Sequence, residues 1–106
     1  MTDPQLKRGM VETCVLASLV KEDSYGYRII RDLPACVEIS ESTLYPILKR
    51  LETSGSLSVY SVEHNGRLRK FYHLTDQGAA KIPEFIEDFS EIMDIYDYIV
   101  KRWNHE

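Results

Sequence analysis

Apolar residues recur along this chain with periods that change at a few punctuating positions. Leu6, Met10, Cys14, Leu16, Ala17, Leu19 and Val20 form a broad helical stripe. Asp3-Pro4 supplies its start, Asp as cap and Pro at the first helical position. Glu22-Asp23-Ser24 breaks the pattern, and Ser24 is placed to cap a short helix over residues 25–33. That helix turns Ile29, Ile30 and Leu33 inward and closes at Pro34. Leu44, Ile47, Leu48 and Leu51 then follow i, i+3, i+4, i+7 and predict an amphipathic helix over residues 42–54. Ser42, Pro46, Lys49 and Thr53 fall opposite that stripe, with Tyr45 and Arg50 on its flanks. Ser40 or Ser42 caps it, and Gly55 suits the left-handed position after its last turn. Pro46 is tolerated only in or near a first turn, so the expected start is close to Ser42.

The period then falls to two. Residues 57–63 and 68–74 flank His64-Asn65-Gly66-Arg67, and Asn-Gly is the favoured pair for a type I′ hairpin turn. That turn predicts Tyr60 opposite Phe71, Val59 opposite Tyr72 and Leu57 opposite Leu74. Leu57, Val59, Tyr72 and Leu74 then share one face suited to a core. Arg67, Arg69 and Lys70 put three cations near the tip, with Glu63 against them. Thr75-Asp76-Gln77 opens a last helix by side-chain capping. In it Phe85, Phe89, Ile92, Tyr96, Ile99 and Trp103 step by 4-3-4-3-4, the heptad spacing of a helix that meets another helix. Ile82, Ile86, Met93 and Val100 make a second stripe beside the first, more apolar surface than one subunit needs. Glu84, Glu87, Asp88, Glu91, Asp94 and Asp97 form the solvated side. Pro83 is expected to kink this helix or to delay its regular start to about residue 83.

The expected fold is mainly α, an α+β winged helix-turn-helix with a two-stranded β-hairpin wing and a long C-terminal dimerisation helix. Residues 1–75 make the winged part and residues 76–106 the dimerisation helix. The stripe over residues 42–54 does not by itself separate a recognition helix from an ordinary amphipathic one. A charged hairpin tip is by itself only a solvated edge. Succession decides between the readings, since a basic hairpin directly after a candidate recognition helix reads as a wing reaching for phosphates or a minor groove.

Charge qualifies this picture without reversing it. The chain of 106 residues has a formal net charge of −4, which taken whole argues against a nucleic-acid binder. Residues 1–74 hold ten Lys/Arg against nine Asp/Glu, whereas residues 75–106 hold three against eight. The acidity lies in the last helix, and the remainder is free to gather cations on one surface. No apolar run approaches the roughly 20 residues that span a bilayer, and the N-terminus has no signal-peptide core. Cys14 and Cys36 fit neither a metal spacing nor a disulfide framework and read as reduced thiols of a cytoplasmic protein. His64, His73 and His105 are scattered, and no Gly-rich phosphate loop follows a strand. The expectation is a non-enzyme with no metal and no cofactor.

Four segments, in order, carry a resemblance to the PadR family of bacterial winged-helix transcriptional regulators. They are Leu6-Lys7-Arg8-Gly9-Met10, Tyr25-Gly26-Tyr27-Arg28-Ile29-Ile30, Ser42-Thr43-Leu44-Tyr45-Pro46-Ile47-Leu48-Lys49-Arg50-Leu51-Glu52 with Gly55, and residues 66–75, G-R-L-R-K-F-Y-H-L-T. The resemblance spans about residues 5–80. Ser42 stands where the family commonly has Gly, and Leu68 where Pro is frequent; neither change removes a cation. Many relatives carry a larger C-terminal domain. This chain resembles the short subclass, in which a single last helix pairs with the partner subunit.

The functional expectation is a homodimeric repressor bound to double-stranded DNA at a pseudo-palindromic operator, with the sign of regulation implied by the resemblance. Ser42, Thr43 and Lys49 are expected at base edges, Tyr45 and Arg50 at phosphates or sugar, and Arg67, Arg69 and Lys70 at the backbone or minor groove. The resemblance places Lys7 and Arg8 near the duplex as well. Phe85, Phe89, Ile92, Tyr96, Ile99 and Trp103 are the expected dimer interface. The resemblance also implies a lipophilic or phenolic effector, for which Phe89, Met93, Tyr96 and Trp103 are the candidate site, with a plain hydrophobic interface as the alternative. The competing class is a winged-helix protein-interaction module without DNA binding, supported by the acidic overall charge.

Overall fold

The computed structural model describes residues 4–105, side chains 4 and 6 excepted, so the Asp3 cap and the inward Leu6 lie outside the described residues. The order is α1 (Pro4–Ala17), α2 (Gly26–Asp32), α3 (Glu41–Thr53), β1 (Leu57–His64), β2 (Arg67–Leu74) and α4 (Asp76–Trp103). This is the winged helix-turn-helix expected, with an antiparallel hairpin as its only named sheet among the described residues.

Leu44, Ile47, Leu48 and Leu51 of α3 are all buried, as their spacing requires. They meet Val15 of α1 and Leu19 just past its end, Ile29 of α2 and Leu33 at its C-cap, and Leu57 and Tyr72 from the hairpin. Each such aliphatic side chain taken out of water stabilises the fold by about 1.5–3 kcal/mol, so α3 is held mainly by this stripe. Ser40 caps α3, its hydroxyl accepting from the Thr43 amide at 3.3 Å. Pro46 is the sixth residue of the helix, one residue deeper than in a helix that starts at Ser42. Its ring nitrogen has no proton to give the Ser42 carbonyl four residues back. Gly55 has φ +82°, the left-handed conformation expected after the helix.

The hairpin has the predicted register throughout, from Leu57↔Leu74 through Val59↔Tyr72 and Tyr60↔Phe71 to His64↔Arg67. Asn65 and Gly66 have φ of 51° and 78°, the pair of positive values that a type I′ turn demands.

Three helical expectations need correction. In α1 the inward face is Val11, Val15 and Leu16, continued by Leu19; Met10, Ala17 and Val20 are exposed. The helix ends at Ala17, so a stripe extended to Val20 runs past the region where a 3.6-residue period applies. Ser24 does not cap α2, whose N-cap is Tyr25 without a side-chain bond. Ser24 instead forms a β-bridge with Tyr72, its amide donating to the Tyr72 carbonyl at 3.2 Å and its carbonyl accepting in return at 2.7 Å. Pro83 does not delay α4, which runs through it from Asp76. The Thr75 hydroxyl accepts from the Gly78 amide at 3.0 Å and donates to the carbonyls of Gly55 and Ser56. That cap fixes the start of α4 against the turn before β1, and Ile82 then packs on the core.

Candidate nucleic-acid interface

The polar face of α3 is laid out by its own stripe. With four aliphatics inward, Ser42, Pro46, Lys49 and Thr53 point outward and are exposed. At its N-terminal end the Ser40 hydroxyl lies 2.9 Å from that of Ser42 and 3.2 Å from that of Thr43, a hydroxyl cluster over the first amides. Lys49 Nζ is 3.8 Å from Glu52 and reaches into solvent. Tyr45, on one flank, lies against Gly26 at the start of α2. Arg50, on the other, is turned toward α1, where Glu12 accepts from Nε at 2.8 Å and Nη2 at 2.5 Å. Arg8 stands 3.6 Å from the same carboxylate.

Strand pleating divides the wing cations that the sequence presents as one cluster. Arg67 and Arg69 share a face with Phe71, and Lys70 lies on the other with Leu68 and Tyr72. Residues 61–70 are exposed on both faces. Arg67 and Lys70 form no ion pair among the described residues, and Glu63 does not pair with any of the three. Arg69 stacks on Tyr25, its guanidinium carbon 4.2 Å from the ring centroid.

The wing, the start of α2 and Tyr45 enclose an open groove of about 670 Å³, lined by Tyr25, Tyr27, Tyr45, Arg67, Arg69 and Lys70 among others. Four of the expected residues, Tyr45, Arg67, Arg69 and Lys70, are therefore brought to one concavity. Ser42, Thr43 and Lys49 stand exposed on α3 outside its lining, and Arg50 is held to α1.

The sequence pattern assigns no site role to Tyr25 and Tyr27, though both line the groove, or to Asp23 behind the wing. Asp23 accepts from the Tyr60 hydroxyl at 2.6 Å and lies 2.8 Å from His73 Nδ1. The Tyr60 hydrogen bond, followed by that of His73, holds the Asp23 carboxyl below its ordinary value, and the same bond raises the Tyr60 phenol. Burial raises the Tyr72 phenol, and burial followed by the neighbouring Cys36 raises the Cys14 thiol. Period-two alternation puts Tyr60 and His73 on the strands of the wing, but nothing local in the sequence points from them to residue 23.

On α4 the expected interface residues behave unequally. Phe85 and Phe89 are half-buried with stacked rings 5.3 Å apart, whereas Ile92, Tyr96, Ile99 and Trp103 are exposed, Trp103 to 82%. Ile86, Met93, Ile95 and Tyr98 are exposed too, so the apolar band is wider than the heptad stripe. Of the candidate effector residues, Met93, Tyr96 and Trp103 are open to solvent, and an enclosing wall has to come from elsewhere.

Comparison with known proteins agrees with the fold. The chain matches the transcriptional regulator PadR-like family over residues 15–84. A crystal structure from Streptococcus mutans is 45% identical, covers 89% of each chain and superposes with a TM-score of 0.78. A PadR family transcriptional regulator from Eggerthella lenta is 30% identical over 92% of this chain and 87% of its own, with a TM-score of 0.81. Bacillus subtilis PadR, solved in complex with operator DNA, shares the fold at 24% identity and a TM-score of 0.68, over 73% of this chain and 46% of that one.

Proposed function

The chain belongs to the PadR-like family of transcriptional regulators, and from that premise we propose that it is a homodimeric DNA-binding repressor. The observation that carries the reading is the groove in which Tyr45 of α3 and the cations of the wing face one another. In this reading the outward face of α3 enters the major groove, with Ser42, Thr43 and Lys49 at base edges and Tyr45 at the backbone. Arg67, Arg69 and Lys70 bind phosphates or the adjoining minor groove. Arg50 contributes only where the duplex draws it from Glu12.

In this reading residues 1–75 are the DNA-binding part and residues 76–106 the dimerisation helix. Phe85, Phe89, Ile92, Tyr96, Ile99 and Trp103 bury against a second copy, and the exposed apolar band on α4 supports this. Two winged parts then address half-sites about one helical turn apart. A lipophilic or phenolic effector fits between the copies against Phe89, Met93, Tyr96 and Trp103. It releases DNA by favouring a different spacing of the two wings.

Fluorescence anisotropy with a palindromic promoter duplex tests the reading. Removing one phosphate-binding cation should flatten the salt dependence by about one unit of slope, so Arg67→Ala/Arg69→Ala should flatten it by about two. Unchanged affinity and slope in this variant and in Lys49→Ala would remove the interface.

A further inference from the structure

The loop joining α1 to α2 meets the wing through three consecutive residues, each by a different interaction. The Asp23 carboxylate spans both strands, accepting from Tyr60 of β1 at 2.6 Å and lying 2.8 Å from Nδ1 of His73 on β2. Ser24 pairs with Tyr72 main chain to main chain, which adds one rung to the outer edge of β2. Tyr25 lies 4.2 Å beneath the guanidinium of Arg69 and tilts against Phe71 at 5.4 Å, and Phe71 in turn stacks on Tyr60 at 5.8 Å. Arg28 holds the loop in this shape. Its Nε donates to the Ser24 hydroxyl at 2.9 Å, its Nη2 to the Asp23 carbonyl, and its guanidinium sits 5.2 Å over the Tyr25 ring.

A two-stranded ribbon is marginal in water without further support. Here the support ends where these contacts end, because residues 61–70 are otherwise exposed. Leu57, Val59, Tyr72 and Leu74 seat the base of the wing on the core, and residues 23–25 add the contacts that reach further along it and bear on its direction. Arg69 is the wing cation those residues touch.

We propose that Asp23, Ser24 and Tyr25 are positioning residues for DNA binding: they fix the angle of the wing and hold Arg69 at the edge of the groove. This rests on the DNA-binding reading above. A cation–π contact at an exposed site orients a guanidinium that would otherwise sample many rotamers, so its removal lowers the fraction of protein ready to bind.

The test compares wild type with Tyr25→Phe, Tyr25→Leu, Arg69→Ala and the pair Tyr25→Leu/Arg69→Ala, using a fluorescein-labelled mixed-sequence duplex at low salt. Tyr25→Phe keeps the ring and should bind like wild type. Tyr25→Leu should bind about two- to fivefold more weakly, the range of one exposed cation–π contact. In the Arg69→Ala background the same change should cost nothing further. A loss of equal size with and without Arg69, or no loss at all, overturns the role of Tyr25. Amide hydrogen exchange without DNA reads the rest: Asp23→Asn, or Tyr60→Phe should the first variant fold poorly, should speed exchange at the Tyr72 amide at least about threefold. Unchanged exchange overturns the role of Asp23. A wild type that fails to bind any duplex sinks the DNA-binding reading instead, and the exchange data still judge the loop.

Discussion

Glu12 of α1 holds Arg50 of α3 by two hydrogen bonds, from Nε at 2.8 Å and Nη2 at 2.5 Å. The pair joins the first helix to the back flank of the helix proposed to read DNA. Both side chains are partly open to water, so the pair adds little stability, of the order of 0–1 kcal/mol. Its larger effect is to occupy a cation. Glu12→Ala should leave the melting temperature nearly unchanged and tighten duplex binding severalfold by freeing Arg50. Anisotropy titration checks this, and unaltered affinity would take Arg50 out of the interface.

The apolar band of α4 should be what joins two copies. Ile99→Asp places a carboxylate in the heptad stripe and should leave single subunits at micromolar concentration in sedimentation equilibrium. A lone subunit engages one half-site only, which should weaken operator binding by about 10²-fold or more. A dimer persisting in this variant would place the interface elsewhere.

Gly78 packs the first turn of α4 directly against the turn before β1. A Cβ built there would stand 2.1 Å from the Ser56 carbonyl oxygen, which is backbone and has little room to retreat. Gly78→Ala should therefore destabilise the fold by about 1–3 kcal/mol, despite the better helix propensity of alanine. Urea unfolding followed by circular dichroism reads the shift in midpoint; a neutral or stabilising result would mean that the start of α4 can move.

The depressed Asp23 carboxyl makes a prediction about acid. Its folded-state value lies below the unfolded value, mainly through the Tyr60 hydrogen bond and next through His73. The carboxylate form is favoured by folding, so its contribution is complete above the unfolded carboxyl range near pH ~4 and fades as pH falls through the folded value. Urea midpoints measured between about pH 6 and pH 3 should fall less steeply for Asp23→Asn than for wild type. Parallel curves would show that the carboxylate adds nothing to the fold.

Much of this is legible in residue order. The α3 stripe and the Asn65-Gly66 turn are local patterns, and both elements form as those patterns predict, the hairpin in its full register. What escapes the sequence depends on where elements meet. Val11 and Val15 do not stand out by pattern because α1 offers apolar residues on several sides, and only packing against the rest of the core selects the buried set. Ser24 suggests a cap rather than a bridge because a serine before a helix satisfies local rules equally well. Arg67, Arg69 and Lys70 alternate along β2 as its period requires, yet the groove all three line is completed by Tyr25, Tyr27 and Tyr45 from other elements. The pairing of Arg50 with Glu12 spans 38 positions, and no periodicity carries information over that distance.

Pro46 lies within α3 and has no amide proton for the Ser42 carbonyl. The turn between Ser42 and Pro46 therefore runs one main-chain hydrogen bond short, inside the helix proposed to meet bases. Truncating the exposed side chains one at a time would leave that deficit in place. Only replacing the proline restores the donor, so Pro46→Ala is the change that would alter the backbone beneath the outward face rather than the groups it carries.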